Sequence, residues 1–239
     1  MALAMAAIAV AGSACSSTRT IKQGNEEFSV LEDKYIEALA LADDGMHFEA
    51  IQAWKEVLAD EPRWALAHFN LGQLYDKLDL VPEAMAEYEQ AAKLDGEQPS
   101  YHLNLGTVYL RSGMPKQALE ALKLATTKDP YNYIAHYDLS AAYLALKDQD
   151  NALIHADIAV DLYAKPDSKN DSGLAEGVDR DMLARMLGRQ AECHILRGER
   201  DKAQQCADRI QKQCRVDLPL RLKEKLDKMP PAETPATGG

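Results

Sequence analysis

The six histidines and four cysteines are the residues of this chain best suited to metal or redox chemistry. Their spacing argues for neither. His68, His102 and His136 recur at intervals of 34 residues. A metal needs each ring nitrogen about 2.1 Å from a single ion. If each interval is one packed unit, equivalent points on successive units lie roughly 8–10 Å apart, a helix-packing distance. Three such rings cannot share an ion, so they read as packing residues. Cys193, Cys206 and Cys214 cluster near the C-terminal end. Cys206 and Cys214 are more than two helical turns apart, beyond the roughly 7 Å Cα separation that a disulfide tolerates. Cys193 could bridge to one of them across a helix pair in an oxidising compartment. With an odd number of thiols at least one stays free, and buried inert thiols are expected. Carboxylates are plentiful, but none forms a pair that spacing alone singles out. No nucleophile elbow, phosphate loop, dinucleotide fingerprint or zinc-protease motif is present. The chain is expected not to be an enzyme, and to use no cofactor, metal or small-molecule substrate.

The composition says what kind of elements carry these residues. Ala and Leu dominate over Val and Ile, and aromatics make up only 6% of the chain, which suits packed helices rather than sheet. The net charge of −11 repels phosphate backbones, so nucleic acid is not an expected partner. The acidic residues are spread along the chain and read as a solvated outer face.

The strongest signal is a period. Ala50, Ala84, Ala118 and Ala152 are each 34 residues apart, and Ala203 follows after 51, one further period plus an insertion of 17. Other positions keep the same register. Leu71-Gly72…Tyr75 returns as Leu105-Gly106…Tyr109 and as Leu139-Ser140…Tyr143. The small residues Ala38, Gly72, Gly106, Ser140 and Ala191 mark a point where two helices cross closely. A bulky position holds Trp54, Tyr88 and Leu122, and falls to Ala156 and Ala207 in the last two units. Gly45, Gly113 and Gly198 sit where a helix–helix turn needs a left-handed residue, and Pro62 and Pro130 follow the second helix of a pair.

This pattern resembles the tetratricopeptide repeat (TPR), a helix–turn–helix unit of the same period. The expected fold is all-α: a right-handed TPR solenoid of about five repeats plus a C-terminal capping helix. Four repeats are placed at 31–166, an insertion loop at 167–183, a fifth repeat at 184–217, a capping helix at 218–229 and a disordered tail at 230–239. The cap is expected to bury Leu222, Leu226 and Met229, because the last unit of a stack otherwise exposes its stacking face.

In the family, positions 2, 5, 6, 9, 12 and 13 of the first helix of each repeat, helix A, face a concave groove. Carried over to this chain, position 5 is Tyr35, Phe69, Leu103 and Tyr137, and position 6 is Asn70, Asn104 and Asp138. Such residues can hold an extended peptide, one amide per repeat, with aromatics covering its side chains. The same residues also match the family consensus, so they mark the fold as well as a ligand site. The insertion, the convex face and the ends of the stack are the competing contact surfaces. The carboxylate clamp of chaperone-binding TPR domains is missing from repeats one to four, where position 2 holds Glu32, Leu66, Ser100 and Ile134. In repeat five Arg185 and Arg189 stand alone. Lys77 and Arg111, at position 13, are either solvated or able to hold an acidic partner side chain.

Residues 1–14 carry no charge, run apolar from Ala2 to Val10 and end in small residues before Cys15. They are too short to span a bilayer, which takes about 20 residues, and suit a signal peptide. Ala14-Cys15 resembles the lipobox of bacterial lipoproteins, although Gly12 stands where that family prefers Leu and no basic residue lies near Met1. The resemblance implies lipidation at Cys15, a polar tether over 15–30, and, with Ser16 next, an outer-membrane lipoprotein facing the periplasm. Small TPR lipoproteins of this architecture resemble the pilotins that assist type IV pilus and secretin assembly. The expected function is thus a lipid-anchored scaffold of the bacterial cell envelope that mediates protein–protein interaction. The alternative is a cytosolic TPR co-chaperone or regulatory adaptor with an unprocessed N-terminus.

Overall fold

The computed structural model describes residues 25–164 and 178–231, with the backbone alone for 25–30. The expected leader, Cys15, the first part of the tether, most of the insertion and the end of the tail lie outside the described residues. Every regular element among the described residues is helical. Eleven α-helices follow one another: α1 (Asn25–Asp43), α2 (His47–Asp60), α3 (Ala65–Lys77), α4 (Val81–Leu94), α5 (Pro99–Arg111), α6 (Pro115–Lys128), α7 (Tyr133–Ala145), α8 (Gln149–Tyr163), α9 (Arg180–Leu196), α10 (Arg200–Arg209) and α11 (Leu220–Asp227). None is long and apolar enough to cross a membrane. Odd-numbered helices from α1 to α9 are the A helices of five repeats, and the even-numbered ones are their B helices.

The chain divides into two compact units, one ending at Asp60 and one beginning at Glu61. The first holds the α1–α2 hairpin. Its core is Ala38, Ala50, Trp54 and Val57, all fully buried, and Lys34 Nζ lies 2.6 Å from Asp60 at the open end of the hairpin.

The second unit is a stack of four hairpins. Each B helix packs on the A helix of the next repeat, and α5, α7 and α9 also touch one another in sequence. The A helices therefore share one face of this stack. Within a hairpin the crossing point sets the fit. A Cβ built on Gly72 would lie 2.8 Å from the Tyr88 ring, and one on Gly106 2.5 Å from Leu122 Cγ. Where the B-helix residue shrinks to Ala156 or Ala207, the A-helix residue grows to Ser140 or Ala191, and all four are buried. Bulk is exchanged across the crossing, and close packing is kept.

Each of the five A–B turns contains one residue with positive φ: Gly45, Asp79, Gly113, Lys147 and Gly198, at 77°, 58°, 70°, 64° and 76°. The left-handed conformation costs a residue with a Cβ about 1 kcal/mol or more. The stack tolerates that at Asp79 and Lys147 because the turn geometry repeats regardless of the residue.

Three boundaries differ from the sequence expectation. Helix α1 begins at Asn25, so the last six residues of the expected tether belong to the first helix, just past Gly24. Helix α9 begins at Arg180, inside the expected insertion. Asp179 is the cause: its carboxylate accepts from the backbone N–H groups of Asp181 at 2.8 Å and Met182 at 3.3 Å, an N-cap that starts the helix early. The Tyr163 hydroxyl accepts from Asp179 N–H at 3.0 Å and ties the end of α8 to this start. The last helix is shorter than expected, but its stripe is as read: Leu222, Leu226 and Met229 are buried against Leu183, Met186 and Leu187.

Candidate functional site

The recurring histidines brace the stack from within. His68 Nε2 donates to the Pro62 carbonyl at 3.1 Å, His102 Nε2 to Gly96 at 2.9 Å and His136 Nε2 to Pro130 at 3.0 Å. Each ring thus pins the loop that leads into its own repeat. What the other ring nitrogen meets depends on one B-helix position, occupied by Glu87, Ala121 and His155 in repeats two, three and four. His68 Nδ1 lies 2.6 Å from Glu87, which holds the imidazole above its ordinary pKa. His136 Nδ1 lies 2.9 Å from His155 Nδ1. One proton is shared across this ring–ring contact, and two charged imidazoles cannot face each other there. Burial first, then the facing His136 and nearby Lys123, push His155 down to about 4. Its other face stacks on Tyr143 at 5.5 Å.

Among the described residues, Cys193, Cys206 and Cys214 are free and buried. Burial pushes Cys193 and Cys206 up to about 11, so they are inert rather than nucleophilic.

The expected groove residues divide between the two units. Tyr35 lies in the first, where it is buried edge-on against Trp54 with ring centroids 5.4 Å apart. It is a core residue there, because its ring fills the space beside that indole. Phe69, Asn70, Leu103, Asn104, Tyr137 and Asp138 all lie on the A helices of the second unit, each half-buried. Phe69 sits between Tyr88 of its own repeat and Tyr101 of the next, at 5.7 and 4.8 Å. Leu103 packs against the cluster of Ala118, Leu122 and Leu139. Position 5 therefore joins successive repeats while its outer edge remains accessible.

Position 6 is also partly committed. Asn104 hydrogen bonds to Tyr88, and Asp138 accepts from Thr107 Oγ1 at 2.6 Å. Burial raises the Asp138 pKa, opposed by the Thr107 hydrogen bond and by Arg189. Arg111 is occupied too: it bridges Asp76 and Asp79 of the preceding repeat. The A-helix face keeps accessible apolar side chains as well, among them Ile134 and Leu196.

At the C-terminal end of this face the structure places a cavity of about 590 Å³, lined by residues of α7, α9 and α11. Tyr137 and Arg189 meet there, with the guanidinium carbon 4.8 Å from the ring centre. The sequence reading did not anticipate it. A signal was present, since counting one period plus the insertion from Tyr137 reaches Gly188, a bulky position left empty.

Family models match two stretches of the chain, a TPR repeat over residues 81–113 and a tetratricopeptide repeat over 103–168. No curated protein is significantly similar. Among solved structures, the chain resembles MamA from Desulfovibrio magneticus RS-1, with a TM-score of 0.66 at 17% identity over 77% of this chain and 95% of that one. It also resembles YrrB, described as a TPR protein with an unusual peptide-binding site, with a TM-score of 0.65 at 18% identity over 80% and 88%. Pseudomonas aeruginosa PilF gives a TM-score of 0.63 at 17% identity over 85% and 86%. At these identities the likeness is one of fold.

Proposed function

We propose that this chain, a tetratricopeptide-repeat protein and protein–protein interaction scaffold, works from the bacterial cell envelope, held there by a lipid on Cys15. Its A-helix face takes an extended stretch of another polypeptide. The observation that carries this reading is the run of half-buried side chains at positions 5 and 6 of α3, α5 and α7. They combine aromatic and aliphatic edges with amide and carboxylate groups at repeat spacing, the mixture an extended backbone and its side chains need. The envelope location is supported by the uncharged leader, the small residue before Cys15 and the polar stretch that follows. The finer role is pilotin-like assistance to assembly of an outer-membrane secretin of a type IV pilus or related secretion system, supported by that same leader–tether–repeat architecture.

Site-specific photocrosslinking in the native host tests the groove. A benzophenone side chain at Ser100, exposed on α5, is expected to capture a secretin subunit, whereas one at Glu120, exposed on α6, is not. Equal capture at both positions, or none at Ser100, would sink the reading. Labelled palmitate is expected to enter the wild-type chain and not Cys15→Ser. A label that survives the substitution removes the lipid anchor.

A further inference from the structure

Repeat five breaks the pattern at the position that otherwise joins repeats. Position 5 holds Phe69, Leu103 and Tyr137 in repeats two to four, and Gly188 in repeat five. Glycine inside a helix is destabilising relative to alanine, so its presence calls for a reason. Gly72 and Gly106 have one, because a Cβ at either would collide with Tyr88 or Leu122. A Cβ on Gly188 would meet nothing within 4 Å. Packing in the free protein does not require glycine there.

The missing side chain opens onto the 590 Å³ cavity, a size typical of pockets that receive a ligand group. Its apolar lining is Ile210, Val216 and Leu222. Its polar lining is Arg185, Arg189, Arg221 and Lys225 against Asp181 and Glu192. Lys225 is paired with Glu192 at 2.5 Å, and Arg189 rests on the Tyr137 ring. Arg185 and Arg221 make no ion pair among the described residues. In a chain of net charge −11, this is a local surplus of unneutralised guanidinium.

We propose that this cavity receives an acidic–apolar segment of the partner polypeptide. A bulky apolar side chain fills the space that Gly188 vacates, and flanking carboxylates pair with Arg185 and Arg221. The proposal rests on the A-helix face being a polypeptide-binding surface, and it names the chemistry at one end of it. Guanidinium matches carboxylate with two parallel hydrogen bonds. Glu192 and Asp181 disfavour a more highly charged phosphate in the same space, and the half-buried α9 backbone at Gly188, with open space where a Cβ would stand, allows close approach.

Fluorescence anisotropy on the full chain tests it, with a labelled dodecapeptide of alternating leucine and glutamate and a second with glutamine in place of glutamate. The glutamate peptide is expected to bind at least tenfold more tightly, and to weaken as salt rises. R185Q/R221Q is expected to weaken it at least tenfold, with helicity and melting temperature unchanged because both side chains are exposed. Gly188→Leu is expected to block both peptides without altering any charge. Equal binding of the two peptides, binding of neither, or full binding retained by R185Q/R221Q would each overturn the proposal. So would displacement by inorganic phosphate as effective as by unlabelled glutamate peptide, which would make the cavity a general anion site. If the cavity fails while the Ser100 crosslink persists, the groove reading stands alone. Loss of that crosslink fails the groove itself.

Discussion

Repeat three and repeat five use glycine on the A helix for opposite ends. Gly106 is there because the neighbouring B helix leaves no room: Leu122 occupies the space a side chain would need. Gly188 stands beside open space. One absence makes a joint between helices, and the other makes a vacancy. Residue type alone therefore does not say whether a small residue in a repeat serves packing or access. Its neighbours do.

The comparison is broken most directly by placing leucine at both sites. Gly106→Leu is expected to cost about 3 kcal/mol or more, since overpacking a close helix crossing forces the backbones apart. Gly188→Leu is expected to cost nothing in urea unfolding and to stabilise by up to about 0.8 kcal/mol, because leucine favours the helix and enters free space. Equal losses at the two sites would show that the vacancy is not real.

The next largest effect concerns what closes the end of repeat five. Leu226 is buried in the cluster beneath α11, and Leu226→Ala is expected to cost about 2–3 kcal/mol by cavity formation and loosening of the cap. Denaturant unfolding measures the loss. A loss near zero would mean that α11 is not docked as described, and the cavity would lose one of its walls.

Protonation separates repeat two from repeat four. The folded pKa of His68 is raised by Glu87, so its contribution is full below the ordinary histidine value and fades as pH rises through the folded value. His155 is depressed to about 4, so its contribution is full above about 6.5 and is lost as pH falls from there toward 4. After allowance for partial exposure, that loss is on the order of 1–2 kcal/mol. His155→Ala, which gives repeat four the residue found at this position in repeat three, is expected to flatten the acid limb of a stability–pH curve. An unchanged limb would place the acid sensitivity elsewhere.

The smallest expected change is the most specific. Gly188→Ala is expected to stabilise the chain by about 0.5–1 kcal/mol, because alanine favours the helix and meets no neighbour. A thermal melt shifted downward would mean that the position is more crowded than described.

The 34-residue period, the left-handed turns and the small–bulky crossings were legible in the sequence because each is a local requirement repeated in register. Residues such as Gly72, Tyr88 and Gly113 declare themselves by recurring. The capping stripe of Leu222, Leu226 and Met229 was legible for a related reason, since apolar residues on one helix face must be covered. The start of α9 at Arg180 was missed because one aspartate cap outweighs the loop-like composition around it. The burial of Tyr35 against Trp54 was not legible, because the period assigns a position in the repeat but not the depth to which its ring is buried.

The sequence by itself determined that the helices pair, in what order and with which face inward, because periodicity and the size of crossing residues act over one or two turns. Only the tertiary structure decided what each position does with its freedom. The three histidines became loop braces because carbonyls six residues upstream fold back to them. Asn104 and Asp138 were drawn into bonds with neighbouring helices. Gly188, Arg185 and Arg221 became one cavity because α11 returns to α9 from beyond the repeats. The braces span only six residues, but they and the longer contacts depend on how the loops and neighbouring helices fold back, which no rule of spacing along one helix encodes.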